Sequence, residues 1–158
     1  MKRQTARELA VQIICGADLA GESCCDFAEK FMDIEHYETL SEECENFADY
    51  PDDNSVDYIN ELIDLMDEHR VQIDEYISRY SKGWSVNRIS SAARAVLRTA
   101  ICEILYMDDV SVSTAINAAV EIDKGYDEPE TVAFVNGVLG GFVRGEGIEG
   151  NGTDVHAE

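Results

Sequence analysis

Ser91-Ala92-Ala93-Arg94-Ala95-Val96-Leu97-Arg98-Thr99-Ala100-Ile101-Cys102-Glu103-Ile104-Leu105-Tyr106-Met107 decides the fold class of this 158-residue chain. Apolar side chains at Ala92, Val96, Leu97, Ala100, Ile101, Ile104 and Leu105 cover most of a helical circumference, which places the segment in the middle of a helix bundle. A half-buried strand needs strict alternation, and no part of the chain shows it convincingly. The class read from the sequence is therefore all-α. On the C-terminal side Asp108-Asp109 interrupts the helix, Ser113 is the expected cap of the next one and Gly125 its end. Pro129 fits the first turn of a last helix, where its missing N–H is harmless, and Glu128 and Glu130 suit the same end through the helix dipole. Val132, Val135, Leu139 and Phe142 form its apolar stripe.

On the N-terminal side Ser81-Lys82-Gly83 closes a long helix whose face is Val56, Ile59, Leu62, Ile63, Leu65 and Met66, continued by Ile73, Ile77 and Tyr80. Asn54 or Ser55 is its expected cap, and a kink is expected near Arg70. Further upstream Ala6, Leu9, Ala10, Ile13, Ile14 and Ala17 share one helical face between a Thr5 cap and a Gly21 stop. Gly16 interrupts that pattern at a cost of ~1 kcal/mol against alanine. A second helix over 23–32 turns Phe27, Ala28 and Phe31 inward. Residues 33–54 read as a long, partly mobile connection with a short helix around 41–47. The expected organisation is one helical domain over 1–144, made of a three-helix group (5–80) packed on a second (84–143). The glycine-rich residues 145–158 then form a disordered tail.

Charge is segregated along the chain. The net charge is −21, yet residues 22–75 hold 19 acids against Lys30 and Arg70, while residues 76–102 hold Arg79, Lys82, Arg88, Arg94 and Arg98 with no acid. An acidic protein is poorly steered towards polyphosphate, so any nucleic-acid site must lie on a local basic face. The acids serve either as a solvated surface or as a mimic of nucleic acid or a dock for a basic protein. Lys2, Arg3 and Arg7 cluster at the start of the first helix, where phosphate could sit with help from the helix dipole. Three charges make a weak, salt-labile site. Arg94 and Arg98 are four apart on one helix face with Arg88 in the preceding loop. They either pair with the acidic helices or bind phosphate or a partner's carboxylate.

Enzyme chemistry finds little support. His36, His69 and His156 fall in a loop, a helix and the tail, without a serine or cysteine at a spacing that makes a nucleophile and base, so no catalytic residue is expected. Gly137-Val138-Leu139-Gly140-Gly141 lacks the strand-turn-helix setting of a phosphate loop and reads as small residues for close helix contact. Cys15, Cys24, Cys25, Cys44 and Cys102 form an odd set with no CxxC pair. Cys15 and Cys102 read as core thiols, and Cys24-Cys25 with His36 or Cys44 matches no recurring zinc spacing. No metal or cofactor is expected. No signal peptide or membrane span precedes these cysteines, which points to a reducing cytoplasm.

The wording Trp84-Ser85-Val86-Asn87-Arg88-Ile89-Ser90, Arg94-Ala95-Val96-Leu97-Arg98-Thr99-Ala100-Ile101-Cys102-Glu103-Ile104-Leu105-Tyr106, Ala115-Ile116-Asn117-Ala118-Ala119-Val120-Glu121 and Phe134-Val135-Asn136-Gly137-Val138-Leu139 resembles the C-terminal half of the NusB family. The similarity runs over about residues 3–143 and is weak between 22 and 54. It implies a NusB-like bundle of two packed three-helix groups acting without catalysis. It also implies a function: with the ribosomal protein NusE, such proteins hold boxA-type RNA of ribosomal leaders on the RNA polymerase elongation complex and suppress termination. RNA contacts carried over by the resemblance are Lys2, Arg3 and Arg7 at the N-terminus and Glu130 and Phe134 on the last helix, Phe134 being either a stacking platform or a core residue. Arg88 and Arg94 are the expected partner-binding residues.

This chain departs from the family at Gln4, Thr5 and Ala133, where bases are common, at Cys15 and Ala17, where aromatics are frequent, and at Asn87 and Ala93, where the NusE-facing surface tends to be acidic. An acidic interaction module of the same fold that has lost RNA binding, as a homodimer or alone, is the alternative reading. The RNA-binding domain of ribosomal-RNA cytosine methyltransferases is disfavoured because no methyl-donor domain follows Phe142.

Overall fold

A computed structural model describes residues 2–33, 51–84 and 86–148, which form six α-helices and no strand. They are α1 (Arg3–Ala20), α2 (Cys24–Phe31), α3 (Asp53–Tyr80), α4 (Ser91–Tyr106), α5 (Val112–Asp123) and α6 (Pro129–Gly145), with a 3-10 turn at Val86–Arg88 before α4. The chain divides into two compact units, 1–68 and 69–158, and α3 contributes to both. The expected helix over 41–47 lies outside the described residues.

In the first unit α1 packs on α2. Ala6, Leu9, Ala10, Ile13, Ile14 and Ala17 are buried along one face, as the spacing required. Gly21 ends α1 in the left-handed conformation (φ 71°), the αL stop that glycine adopts without a Cβ penalty. Gly16 has a packing reason: a Cβ there would overlap the ring of Phe27 from α2. α1 begins earlier than expected, because the Ala6 N–H already bonds the Lys2 carbonyl at 3.0 Å; Lys2, not Thr5, is the N-cap. The second helix is capped by Ser23, whose side chain accepts from the Asp26 N–H at 3.1 Å. Asp67 of α3 adds a cap from outside the helix, accepting from the N–H groups of Cys24 (2.7 Å) and Cys25 (2.9 Å). Burial works to raise the Asp67 pKa, but these two donors outweigh it and hold the carboxyl below its usual range.

The long helix also starts differently. Asp52, rather than Asn54 or Ser55, caps it by accepting from the Ser55 N–H at 2.8 Å. α3 then runs as one helix through Arg70 to Tyr80.

In the second unit α4, α5 and α6 pack on one another. Val96, Leu97, Ala100, Ile101 and Cys102 of α4 are buried with Ala115, Ala119 and Ile122 of α5 and Val135, Val138, Leu139 and Phe142 of α6. Phe142 meets the rings of Tyr76 and Tyr80 edge-on, with centroids 5.2 and 6.1 Å apart, the geometry that aromatic quadrupoles prefer. Ser111, not Ser113, caps α5, because its hydroxyl is placed to accept from the Thr114 N–H at 3.1 Å. Residues 145–148, expected to belong to a tail, are bonded to the rest of the second unit. Gly145 closes α6, and Glu146 accepts hydrogen bonds from Arg79 (2.7 Å) and from the Tyr80 hydroxyl. Those two donors lower the Glu146 pKa, and the Ile148 N–H donates to the Val143 carbonyl at 2.9 Å. Residues 149–158 lie outside the described residues.

Candidate nucleic-acid interface

The turn after α3 is tightly specified. Lys82 (φ 53°) and Gly83 (φ 94°) are both left-handed, an arrangement that costs a non-glycine residue and persists only where its surroundings enforce it. The enforcing group is Ser81, buried, with its hydroxyl 2.6 Å from the Trp84 carbonyl and 3.2 Å from that of Ser78. Arg94 braces the next residues: its Nη1 donates to the carbonyls of Val86 (3.0 Å) and Ile89 (3.1 Å). Ser90 then caps α4, accepting from the Ala93 N–H at 3.1 Å.

This scaffold presents Trp84 outward at 53% exposure, an unusual place for a large apolar ring. The Trp84 ring centroid lies 6.2 Å from that of Phe134, the planes tilted by 56°, and the Arg88 guanidinium carbon sits 5.6 Å from the indole. That distance brings the cation within reach of the ring's negative face. Trp84, Arg88, Ile89, Glu130, Thr131 and Phe134 line a cleft of about 370 Å³. Phe134 is half-buried, so it serves packing and still shows a face to the cleft, while Glu130 is exposed in the first turn of α6. Two π-faces, a guanidinium and a carboxylate in one open cleft can stack a base, neutralise a phosphate and accept from a base N–H.

Behind the cleft, the Ser90 hydroxyl donates to Asp127 (3.1 Å to Oδ1) and ties the α4 cap to the turn before α6. Asp123, the last residue of α5, is fully buried, and neither of its carboxylate oxygens has a hydrogen-bond donor among the described residues. Burial first, then Asp127 beside it, pushes the Asp123 pKa up to about 8. The protonated acid can donate to Asp127, whereas the carboxylate has nothing to accept from.

The predicted residues fall into two groups. Arg88, Glu130 and Phe134 are brought together in the second unit. Arg94, predicted to bind a partner, is half-buried and holds the loop carbonyls instead. Arg98, read on the same face, is 5% exposed and forms a two-pronged bond to Asp74 (2.8 and 2.9 Å), the acid-pairing alternative. Lys2, Arg3 and Arg7 belong to the first unit. Lys2 and Arg3 are exposed, with the Arg3 guanidinium carbon 4.1 Å from the Tyr58 ring centroid. Arg7 is only 3% exposed and donates to Gln4 at 2.9 Å, so the expected patch presents two charges, not three. Ala93, read as a position of the NusE-facing surface, is buried, and so is Ala17, where the family frequently has an aromatic. Trp84 was missed as a site residue. Its position in an acid-free, arginine-containing stretch between two helices was the available clue.

Thiols and acids elsewhere form no comparable site. Cys102 is buried and Cys15 half-buried. Cys25 donates its thiol to Asp64 at 3.1 Å, and burial together with Asp64 and Asp67 raises its pKa, which suppresses the thiolate. Among the described residues no group of three or more His, Cys, Asp or Glu is gathered to hold a metal ion, and no helix is long and apolar enough to cross a membrane. His36 and Cys44 lie outside the described residues.

The family model "NusB family" matches residues 4–144. The chain belongs to the NusB family. Among NusB relatives, the transcription antitermination protein NusB of Symbiobacterium thermophilum is 35% identical over 147 residues, covering 92% of this chain and 91% of that protein. The solved NusB of T. maritima superposes with a TM-score of 0.75 at 26% identity, covering 91% of this chain and 92% of that one. A structure of the antitermination factors NusB and NusE in complex with dsRNA shares the fold, with a TM-score of 0.73 at 22% identity over 90% of this chain and 96% of that one. The all-α reading and the NusB resemblance are both borne out.

Proposed function

We propose that this chain is an RNA-binding transcription antitermination factor that holds boxA-type RNA together with NusE on the RNA polymerase elongation complex. The observation that carries the reading is the exposed Trp84 beside the half-buried Phe134, with Arg88 over the indole and Glu130 lining the same cleft. Sequence-specific recognition of RNA targets unstacked bases, which need an aromatic face and hydrogen-bonding groups at the base edge. Phe134 and Trp84 supply the face, Glu130 the acceptor and Arg88 the counter-charge; in the first unit, taken by itself, Lys2 and Arg3 are exposed cations suited to phosphate. Arg7 sets the first turn of α1 through Gln4. The relatives' shared name supports the antitermination role. The chain acts by binding rather than catalysis, in the cytoplasm.

With a net charge of −21, RNA affinity is weak for the chain alone and rises beside a basic ribosomal protein, whose encounter the acidic surface accelerates. Fluorescence anisotropy with labelled boxA RNA, with and without NusE, tests this. The expected result is tighter binding to boxA than to a scrambled RNA, most clearly with NusE present. Equal affinity for both RNAs in both conditions contradicts it and returns the acidic interaction module as the reading.

A further inference from the structure

A second cleft of about 280 Å³ shares the same aromatic pair and is otherwise lined by different residues, among them Tyr80, Ser81, Lys82 and Gly137. Lys82 is exposed, and none of the residues lining the cleft is acidic. Among the described residues Glu146, which accepts from the Tyr80 hydroxyl at this cleft, is also bound by Arg79. Gly137 stands apart from the other glycines under rings. Gly16 and Gly145 are covered by Phe27 and Tyr80, whereas a Cβ at Gly137 would meet nothing within 4 Å. Glycine inside a helix sacrifices stability against alanine, and no packing contact in this structure requires it there. A bare backbone facing an open cleft is the arrangement that admits close approach of a ligand.

We infer that the Trp84–Phe134 pair separates two nucleotide subsites, so that single-stranded RNA crosses it with one nucleotide in the Arg88 cleft and its neighbour in the Lys82 cleft against Gly137. This rests on the RNA-binding reading and deepens it. Each cleft carries one cation and shares both rings, the pattern by which a charged groove follows the backbone while aromatics take the bases. Both cations come from the acid-free stretch 76–102, a basic segment of an otherwise anionic chain and so complementary to a polyphosphate. The left-handed Lys82, enforced by the Ser81 bond to the Trp84 carbonyl, fixes the lysine and the indole in one turn.

The test uses the full chain with NusE and labelled boxA RNA, comparing the unsubstituted protein with Lys82→Gln, Gly137→Leu and Phe134→Ala. Lys82→Gln should weaken binding roughly 5-fold and lower the salt slope by about 0.7, the contribution of one single-strand phosphate. Gly137→Leu, which fills the second cleft without touching the first, should weaken it by about 10-fold. Circular dichroism confirms that each variant keeps its helices. Binding and salt slope equal to the unsubstituted protein in both variants, while Phe134→Ala loses RNA, overturns the second subsite and leaves the RNA reading standing. No RNA binding by the unsubstituted protein removes the reading itself. Loss of NusE capture with RNA affinity intact also overturns the inference, because it assigns the cleft to protein contact.

Discussion

Replacing Asp123 by asparagine should stabilise the protein, and more so as pH rises. Asp123 is fully buried with no donor to either carboxylate oxygen among the described residues, and its neighbour Asp127 is itself an acid. An unsatisfied buried polar group costs about 1–3 kcal/mol, more when charged. The amide introduced by Asp123→Asn would add two N–H donors, one able to reach Asp127, at nearly unchanged volume. The sign of the pH effect follows from linkage: the native pKa of about 8 stands above the unfolded value. With the unfolded value at ~3.9, the native state binds more protons between the two, and stability falls as pH rises through that window.

At about pH 4, the foot of that window, the native Asp123 is protonated, donates to Asp127, and the substitution changes little. At about pH 8.5 the gain should be roughly 2 kcal/mol, or some 4–8 °C in Tm for a chain of this size. Thermal unfolding followed by circular dichroism at both pH values measures it. The large negative charge alters the pH dependence of both proteins alike, so the difference between them isolates residue 123. A Tm difference that is the same at both pH values, or a variant less stable at the higher one, refutes the reasoning.

Three further outcomes follow from the packing. Gly16→Ala should lower stability by about 1–3 kcal/mol despite alanine's ~1 kcal/mol helix preference, because the Cβ displaces the Phe27 ring; chemical denaturation reads the sign directly. Asp67→Ala should lower Tm at neutral pH by removing the outside cap of α2, a loss of about 1 kcal/mol per bond. Because the Asp67 pKa is depressed, its contribution is present above the unfolded carboxylate value and fades as pH falls through the native one, so the two proteins should converge in acid. Arg94→Gln should release the carbonyls of Val86 and Ile89 and weaken RNA binding by about 3–10-fold with helix content preserved, as anisotropy and circular dichroism together would show.

The core was legible where a single period governed it. Val96, Leu97, Ile101, Leu139 and Phe142 are buried as their spacing required, and Gly21 stops α1 as its backbone freedom allows. Helix starts were less legible, because several serines, threonines and acids compete at each one. Ser111 prevailed over Ser113, and Asp52 over Asn54 and Ser55, through which side chain lay opposite the third N–H, a matter of geometry rather than residue type. The arginines were the least legible. One-dimensional spacing puts Arg88, Arg94 and Arg98 together, yet Asp74 claims Arg98 and two loop carbonyls claim Arg94, leaving Arg88 at the cleft. Trp84 was read as part of the family wording and not as a site, because its exposure depends on the Ser81–Gly83 turn and on Phe134, 50 residues away.

Trp84 is the sole tryptophan of the chain, so its emission reports the cleft without a label. Titrating single-stranded boxA RNA into the protein with NusE while recording tryptophan fluorescence, against tryptophan-free NusE, measures base stacking at the proposed site. The account predicts saturable quenching that weakens with salt and is lost in Phe134→Ala and reduced in Arg88→Gln. RNA binding by anisotropy with Trp84 emission unchanged would contradict it.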